Sequence, residues 1–495
     1  MKSTTEKGET DDIKLKNKKL SKRKRRAEQA EIAAYLNKGK INTILNRASR
    51  PSSKEIEVIL EKALELEGLK PGQAASLLMT SDNEVTERIL KTARRVKEKI
   101  YGKRLVLFAP LYFANKCENN CLYCAFRRDN QKIKRRKLSM EEVKEETKAL
   151  EREGHKRLLV LTGEKEETDF DYLLKCIETC YQTKTDNGGE IRRINVEIAP
   201  LSVSEFSRLK KADIGTYTCF QETYHRPTYE KMHPSGPKAD YEWRLSVMDR
   251  AQKAGIDDVG IGALFGLYDY RFEVIALLLH AHYLDQKFGV GPHTISVPRL
   301  NPALGAPLSK PPVPVTDNQF RKLVAVLRLA VPYTGLILTT RESTEMRNEL
   351  FLHGVSQISA GSRTTPGGYR REETEEQKLE QFSLHDRRPM AKIIQEVSEN
   401  NYLPSFCTSC YRLGRTGEDF MELAKPGQIQ KYCRPNAMLT FKEYLANYAD
   451  AQTRQMGEGC LQYHLEEICS EDSQLGKKIK QKMKKIEGGA RDIYL

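Results

Sequence analysis

The sequence predicts an α/β protein built on a TIM-type (β/α)8 barrel, with a helical region before the barrel and a mostly helical region after it. Three observations carry this expectation. Eight short apolar runs alternate with longer segments of helical periodicity, the pattern of a parallel sheet closed on itself. The chain has 495 residues, enough for one barrel of about 250 residues plus two extensions. Hydrophobic residues make up 39% and charged residues 31%, and no stretch reaches the roughly 18 apolar residues of a membrane span. The N-terminus is polar and lacks the apolar core of a secretory signal, so a cytoplasmic location is expected and no membrane partner.

The elements follow in order. Residues 1–30 form a basic tail, expected to be disordered, in which nine of the thirteen residues from Lys14 to Arg26 are Lys or Arg. No aromatic residue interleaves that run, so base stacking has no platform and a nucleic-acid partner is not expected. Residues 31–103 read as helical. Pro51-Ser52-Ser53-Lys54-Glu55 opens one helix and Ser81-Asp82-Asn83-Glu84 another. Residues 104–365 carry the barrel. Its apolar runs are Leu105–Phe113, Arg157–Leu161, Ile194–Ile198, Thr216–Phe220, Val259–Phe265, Thr294–Val297, Leu336–Leu338 and Gln357–Ala360. The helical segments between them are Met140–Glu153, Phe170–Thr183, Val203–Lys211, Asp240–Ala254, Phe272–Lys287, Asp317–Val331 and Thr344–His353. Residues 366–495 begin with a polar loop over 364–376 and end in charged helices, including the basic run Lys477–Lys485.

Eleven cysteines punctuate this frame. In a reducing compartment, clustered cysteines read as metal ligands and isolated ones as small core residues. Cys117, Cys121 and Cys124 form a CxxxCxxC loop directly after the first strand, at the C-terminal mouth of the barrel where active sites gather. Three thiolates hold three irons of a [4Fe–4S] cubane and leave the fourth open, whereas zinc wants a fourth protein ligand that is not near in sequence. Cys407, Cys410 and Cys433 form a second set, again of three. A zinc site and an iron–sulfur cluster both stay open there. Cys176, Cys180, Cys219, Cys460 and Cys469 match no ligand pattern.

The first loop, with Tyr123 before its third cysteine, resembles the cluster loop of the radical S-adenosylmethionine (SAM) superfamily. The resemblance implies that SAM binds the open iron and that reduction releases a 5′-deoxyadenosyl radical. Further positions match one at a time. Gly163 and Glu164, in Leu161-Thr162-Gly163-Glu164, resemble the element that receives the cofactor's amino group, although Thr162 replaces its first glycine. Glu197 resembles the ribose contact and Arg244 the partner of the cofactor carboxylate, a role a guanidinium fork suits. Gly260, Gly262 and Leu264 would let adenine approach the backbone.

Within that superfamily the chain resembles the tyrosine lyases, of which one branch matures [FeFe]-hydrogenase and another, 2-iminoacetate synthase, serves thiazole formation. The segments that carry this are Phe220–His225, Gly260–Leu267, Gly291–Arg299, Arg412–Gly417 and both cysteine sets. The second set distinguishes the hydrogenase branch. The resemblance implies cleavage of the Cα–Cβ bond of L-tyrosine to p-cresol and dehydroglycine, then carbon monoxide and cyanide at an auxiliary [4Fe–4S] or [5Fe–5S] cluster. It also implies an extra iron with cysteine as its ligand, an electron donor of flavodoxin or ferredoxin type, and other hydrogenase maturases as partners. Arg341 is the expected partner of the tyrosine carboxylate, with Ser359 assisting and Arg299 as runner-up; Gln221, Glu222 and Tyr224 would line the cavity, and His293 would hold the extra iron. Competing readings are a single-product 2-iminoacetate synthase, a radical SAM RNA-modifying enzyme and a non-catalytic iron–sulfur scaffold.

Overall fold

The apolar run after Gly102 forms the first and longest strand, β1 (Arg104–Ala114), buried along its whole length. In this computed structural model, residues 26–48, 51–164, 170–186, 188–370 and 380–495 are described. Seven further strands follow: β2 (Arg157–Thr162), β3 (Arg193–Glu197), β4 (Tyr217–Thr218), β5 (Val259–Gly262), β6 (Thr294–Ser296), β7 (Gly335–Leu338) and β8 (Gln357–Ser359). They pair in parallel in chain order, and β1 pairs with both β8 and β2, which closes the barrel. The predicted (β/α)8 architecture is therefore present, and each of the eight predicted runs contains a strand.

Local chemistry fixes the helix starts. Ser52 with Glu55, Ser139 with Glu142, Ser202 with Glu205 and Thr316 with Gln319 each form a reciprocal capping box, satisfying backbone N–H groups that lack a helical partner. Asp82 caps the helix Asn83–Tyr101. This helix and Pro71–Met79 pack against Asp317–Ala330 on the barrel wall, in one apolar core running from Ile32 to Ile486.

Three features differ from the sequence reading. Strand β4 has two residues rather than five, because the chain turns at Glu222, whose φ is +67°, while Cys219 and Gln221 still donate to the carbonyls of Gly260 and Gly262. The helix expected over 240–254 is two helices, Tyr241–Leu245 and Val247–Lys253. The buried Arg250 guanidinium donates to the Trp243 and Ser246 carbonyls exposed by that break. Third, a ninth strand, β9 (Leu403–Ser405), lies beside the start of β1, with Arg104 opposite Leu403 and Val106 opposite Ser405. Its three residues offer no periodicity to read, yet it delivers Cys407 to the floor of the barrel.

Residues 26–35 are helical, where the sequence reading extended a disordered tail to residue 30. The rest of that tail, and residues 371–376 of the expected polar loop, lie outside the described residues. Among the described residues no helix is long and apolar enough to cross a membrane.

Candidate active site

Successive side chains of a strand alternate between two faces, and the inward face of β1 serves one cavity near each of its ends. Phe108, Pro110 and Tyr112 line an upper cleft at the C-terminal ends of the strands, while Arg104 and Val106 line a lower cavity at their N-terminal ends. In β2, Leu159 and Leu161 face the upper cleft and Arg157 the lower.

The upper cleft, open to solvent on one side, spans about 1300 Å³ of space not filled by protein atoms and is lined in part by Cys117, Cys121 and Cys124. None of the three thiols is in a disulfide. The loop that carries them is stitched on both sides. Gly163 N–H donates to Ala114 O at 3.0 Å and Glu118 N–H to Glu164 O at 2.9 Å. A Cβ at Gly163 would lie 2.3 Å from the Lys116 carbonyl oxygen, so the position admits only glycine without a shift of the loop. Thr162, standing where the family has glycine, ends β2 without disturbing this contact and turns its hydroxyl to Gly163 O. Burial pushes the Cys117 thiol up to about 11, with Glu164 adding to the shift, and raises Cys121 and Cys124 as well. Ligation therefore has to supply the charge that stabilises the thiolates. No histidine and no fourth cysteine is among the described lining residues, so the donor set fits a cubane with one open iron.

Above the thiols, four buried charges alternate in sign. Arg244 Nη1 lies 2.7 Å from Glu164 Oε1, and its Nη2 lies 3.9 Å from Glu222 Oε1. Lys238 Nζ lies 2.7 Å from the same Glu222 oxygen. Burial opposes ionisation of Glu164 and Glu222, but Arg244 and Lys238 hold both below the usual carboxylate range. Glu197 has no such partner at contact distance. Burial, reinforced by the charge of Glu222, pushes it up to about 7.

Tyr123, Gly163, Glu164, Glu197, Arg244, Leu264, Glu222, Arg341 and Ser359 all line this cleft. Arg341 stacks 3.2 Å from the Phe382 ring centroid, and burial lowers its pKa. The Ser359 hydroxyl is buried with no hydrogen-bond partner. Five expected residues, Arg299, Gly260, Gly262, Gln221 and Tyr224, are not in the lining. Arg299 is held by Glu342 and Asp317 and stacks on Phe320. The space beside Gly262 is filled by Phe220, whose ring carbon is 2.7 Å from where a Cβ would be, and beside Gly260 stand Thr218 and Thr294. Gln221 is buried with its amide nitrogen unpartnered. Tyr224 is bonded to His280 in the core.

Lys238 and Asn119 were missed. Asn119 links the elements: its amide nitrogen donates to Glu164, and its oxygen accepts from Lys238 N at 2.7 Å. The signal for Lys238 was the turn Ser235-Gly236-Pro237, in which Gly236 has φ +96° and would, with a Cβ, meet the Asn119 backbone at 2.7 Å.

The lower cavity gathers Cys407, Cys410, Cys433 and His293, residues spread over 140 positions that β6, β9 and the helix Gln430–Asn447 bring together. Cys410 and Cys433 are electrostatically coupled in this cavity, which lowers the Cys433 thiol and raises that of Cys410. Burial keeps His293 neutral; its Nδ1 lies 3.5 Å from Asp258 Oδ1 and has no hydrogen-bond partner. A neutral imidazole is a competent iron ligand. Arg104, Arg157 and Arg415 complete a cationic rim that the sequence reading did not identify. Nε of Arg104 and Nε and Nη2 of Arg415 are buried without a partner.

Comparison with known proteins agrees with this geometry. Residues 111–279 match the radical SAM superfamily, and residues 296–403 match the biotin and thiamin synthesis associated domain. The chain is 33% identical to 2-iminoacetate synthase of Escherichia coli (strain K12) over 335 residues, 67% of this chain and 85% of that protein. It resembles a crystal structure of HydG, a maturase of the [FeFe]-hydrogenase, at 51% identity and a TM-score of 0.89, covering 93% of this chain and 100% of that one. For HydG from Carboxydothermus hydrogenoformans the values are 42% and 0.80, with 92% and 99% covered. A [4Fe–4S] cluster with SAM follows for the upper cleft from the superfamily match. The chain belongs to the radical SAM superfamily, in the family that joins the HydG maturases to 2-iminoacetate synthase.

Proposed function

We propose that the chain is the tyrosine lyase of [FeFe]-hydrogenase maturation. It would cleave L-tyrosine in the upper cleft and complete carbon monoxide and cyanide formation in the lower cavity. The observation that carries this is the placement of two three-cysteine sets at opposite ends of one barrel. A single-product 2-iminoacetate synthase has use for the upper set alone.

The upper cluster, held by Cys117, Cys121 and Cys124, would with SAM supply an adenosyl radical to the cleft. Arg244 and Glu164 present a cation and an anion to the cofactor's carboxylate and amino groups, exchanging their mutual pair for the zwitterion. Tyr123, Gly163, Glu197 and Leu264 form the rest of that pocket. Arg341 would pair the tyrosine carboxylate, because it is buried and its guanidinium has a cation–π contact but, among the described residues, no carboxylate partner at contact distance. Ser359 offers its unpartnered hydroxyl beside it.

In the lower cavity Cys407, Cys410 and Cys433 would hold the auxiliary cluster, and His293 the extra iron on which the diatomic products collect. Cysteine, as a ligand of that iron, brings a carboxylate that the unpartnered nitrogens of Arg104 and Arg415 suit. An acidic one-electron donor and the other maturases complete the partners.

The test is product analysis on anaerobically reconstituted enzyme. Tyrosine should yield p-cresol, cyanide and carbon monoxide, with about eight or more irons per chain. No p-cresol would refute the lyase reading. With p-cresol but no carbon monoxide, and about four irons, the enzyme would be a 2-iminoacetate synthase.

A further inference from the structure

The ligands of the lower cavity come from two separate segments, the loop that carries Cys407 and Cys410 and the helix that carries Cys433. Each is fastened to a third segment, residues 490–495. Asp492 forms ion pairs with Arg412, two residues beyond Cys410, and with Nε of Arg192 at 3.3 Å. Arg192 immediately precedes β3 and is itself gripped by Glu443, with contacts of 2.6 and 3.1 Å. Glu443 also accepts the Asp492 backbone N–H at 3.0 Å. Three positions on, Leu495 N–H donates to Asn436 Oδ1 at 2.7 Å, and Asn436 Nδ2 returns a bond to Leu495 O at 3.1 Å. Asn436 is fully buried and lies one helical turn after Cys433.

The backbone is bent to make these contacts. Asp492 has φ +58°, a conformation that a non-glycine side chain adopts only when its surroundings hold it there. Tyr411, between Cys410 and Arg412, is pinned from the barrel side by Arg193, 4.0 Å from its ring centroid. The loop is thus held by an arginine of the barrel on one side and by Asp492 on the other.

We infer that Asp492 is a positioning residue for the lower cluster: residues 490–495 act as a strap that sets the Cys407–Cys410 loop against the Cys433 helix, and the ion pair with Arg412 is its buckle. The inference rests on the reading of Cys407, Cys410 and Cys433 as cluster ligands. Asp492 touches neither substrate nor cofactor, so its removal acts on retention of the lower cluster and leaves the upper cleft intact.

The test compares full-length D492A, R412A, D492A/R412A and D492E with the native enzyme after anaerobic reconstitution. Loss of lower-site iron to a chelator is followed by spectroscopy, and p-cresol and carbon monoxide are assayed in parallel. D492A should lose lower-site iron roughly fivefold faster, the factor that one half-exposed ion pair allows. Carbon monoxide should fall while p-cresol stays near native. The double variant should lose little more than either single, since the two residues act as a pair, and D492E should restore most of the retention. Native retention and carbon monoxide yield in D492A would overturn the strap. Equal loss of p-cresol and carbon monoxide would also overturn it, by showing general destabilisation. A native enzyme with only about four irons would instead overturn the reading of the lower cysteines, and the strap with it.

Discussion

Gly163→Ala is the sharpest probe of the upper site, because the structure fixes the size of the insult. The added Cβ would lie 2.3 Å from Lys116 O, 2.9 Å from Lys116 C and 3.2 Å from Cys117 Cβ. Ordinary van der Waals contact begins at 3.4 Å, so the loop must retreat by about 1.1 Å, the difference between 3.4 and 2.3. It cannot do so freely, since hydrogen bonds from Gly163 to Ala114 and from Glu118 to Glu164 flank the contact. Overpacking of this kind costs roughly 1–3 kcal/mol, and a misplacement of about 1 Å at a reacting centre costs on the order of 100-fold in rate. The assay is 5′-deoxyadenosine formation from SAM, with iron content measured alongside. The expected result is a loss of about 100-fold in that rate with upper-site iron reduced and lower-site iron retained. Gly72→Ala is the control: a Cβ there meets nothing within 4 Å. A G163A enzyme within about twofold of native would refute the claim that this glycine sets the cluster loop.

Further outcomes follow from the same contacts. Arg341→Lys keeps the charge but loses the planar fork, so the tyrosine KM should rise by about tenfold while SAM cleavage without substrate is unchanged; an unchanged KM would release Arg341 from its assigned role. Glu197 is raised to about 7 by burial and Glu222. Its folded pKa exceeds its unfolded value, so the contribution of this group to stability is fully present below about pH 4.5 and is lost as pH rises through 7. Glu197→Gln should therefore raise the Tm of cluster-free protein at pH 8, by up to about 3 kcal/mol of stability, with the gain shrinking toward pH 4.5. A gain that does not depend on pH would contradict the assignment. His293→Ala should preserve p-cresol formation and abolish retention of the extra iron, measured as a fall of about one iron per chain with loss of carbon monoxide.

Much of this arrangement was legible in the sequence because it rests on local signals. Eight apolar runs and their capping residues located the barrel, and two spacings located the cysteine sets. What was not legible depends on register and on contacts across the fold. Arg104 and Arg157 look like ordinary strand-edge charges until strand alternation turns them into the lower cavity. Lys238 sits in a short turn whose meaning lies in Asn119, more than a hundred residues earlier. Arg299 ends its strand as Arg341 does, but Glu342 and Asp317 claim its guanidinium. Gly262 has the small side chain that a cofactor contact would need, and the structure spends that space on Phe220.

The two sites are coupled through a single strand. On β1 the inward series Arg104, Val106, Phe108, Pro110 and Tyr112 runs unbroken from the lower cavity to the upper cleft. At about 3.3 Å per residue, its ends are about 26 Å apart. On the neighbouring strand β8, Gln357 pairs with Val106 and Ser359 with Phe108, so the change from one site to the other falls between two adjacent layers. On β5 the interior near this level is occupied: a Cβ at Gly260 would meet the hydroxyls of Thr218 and Thr294 at 2.6 Å each, and one at Gly262 the Phe220 ring at 2.7 Å. The two cysteine sets, which in the sequence look like parts of separate domains, line cavities that one strand, β1, reaches at both ends.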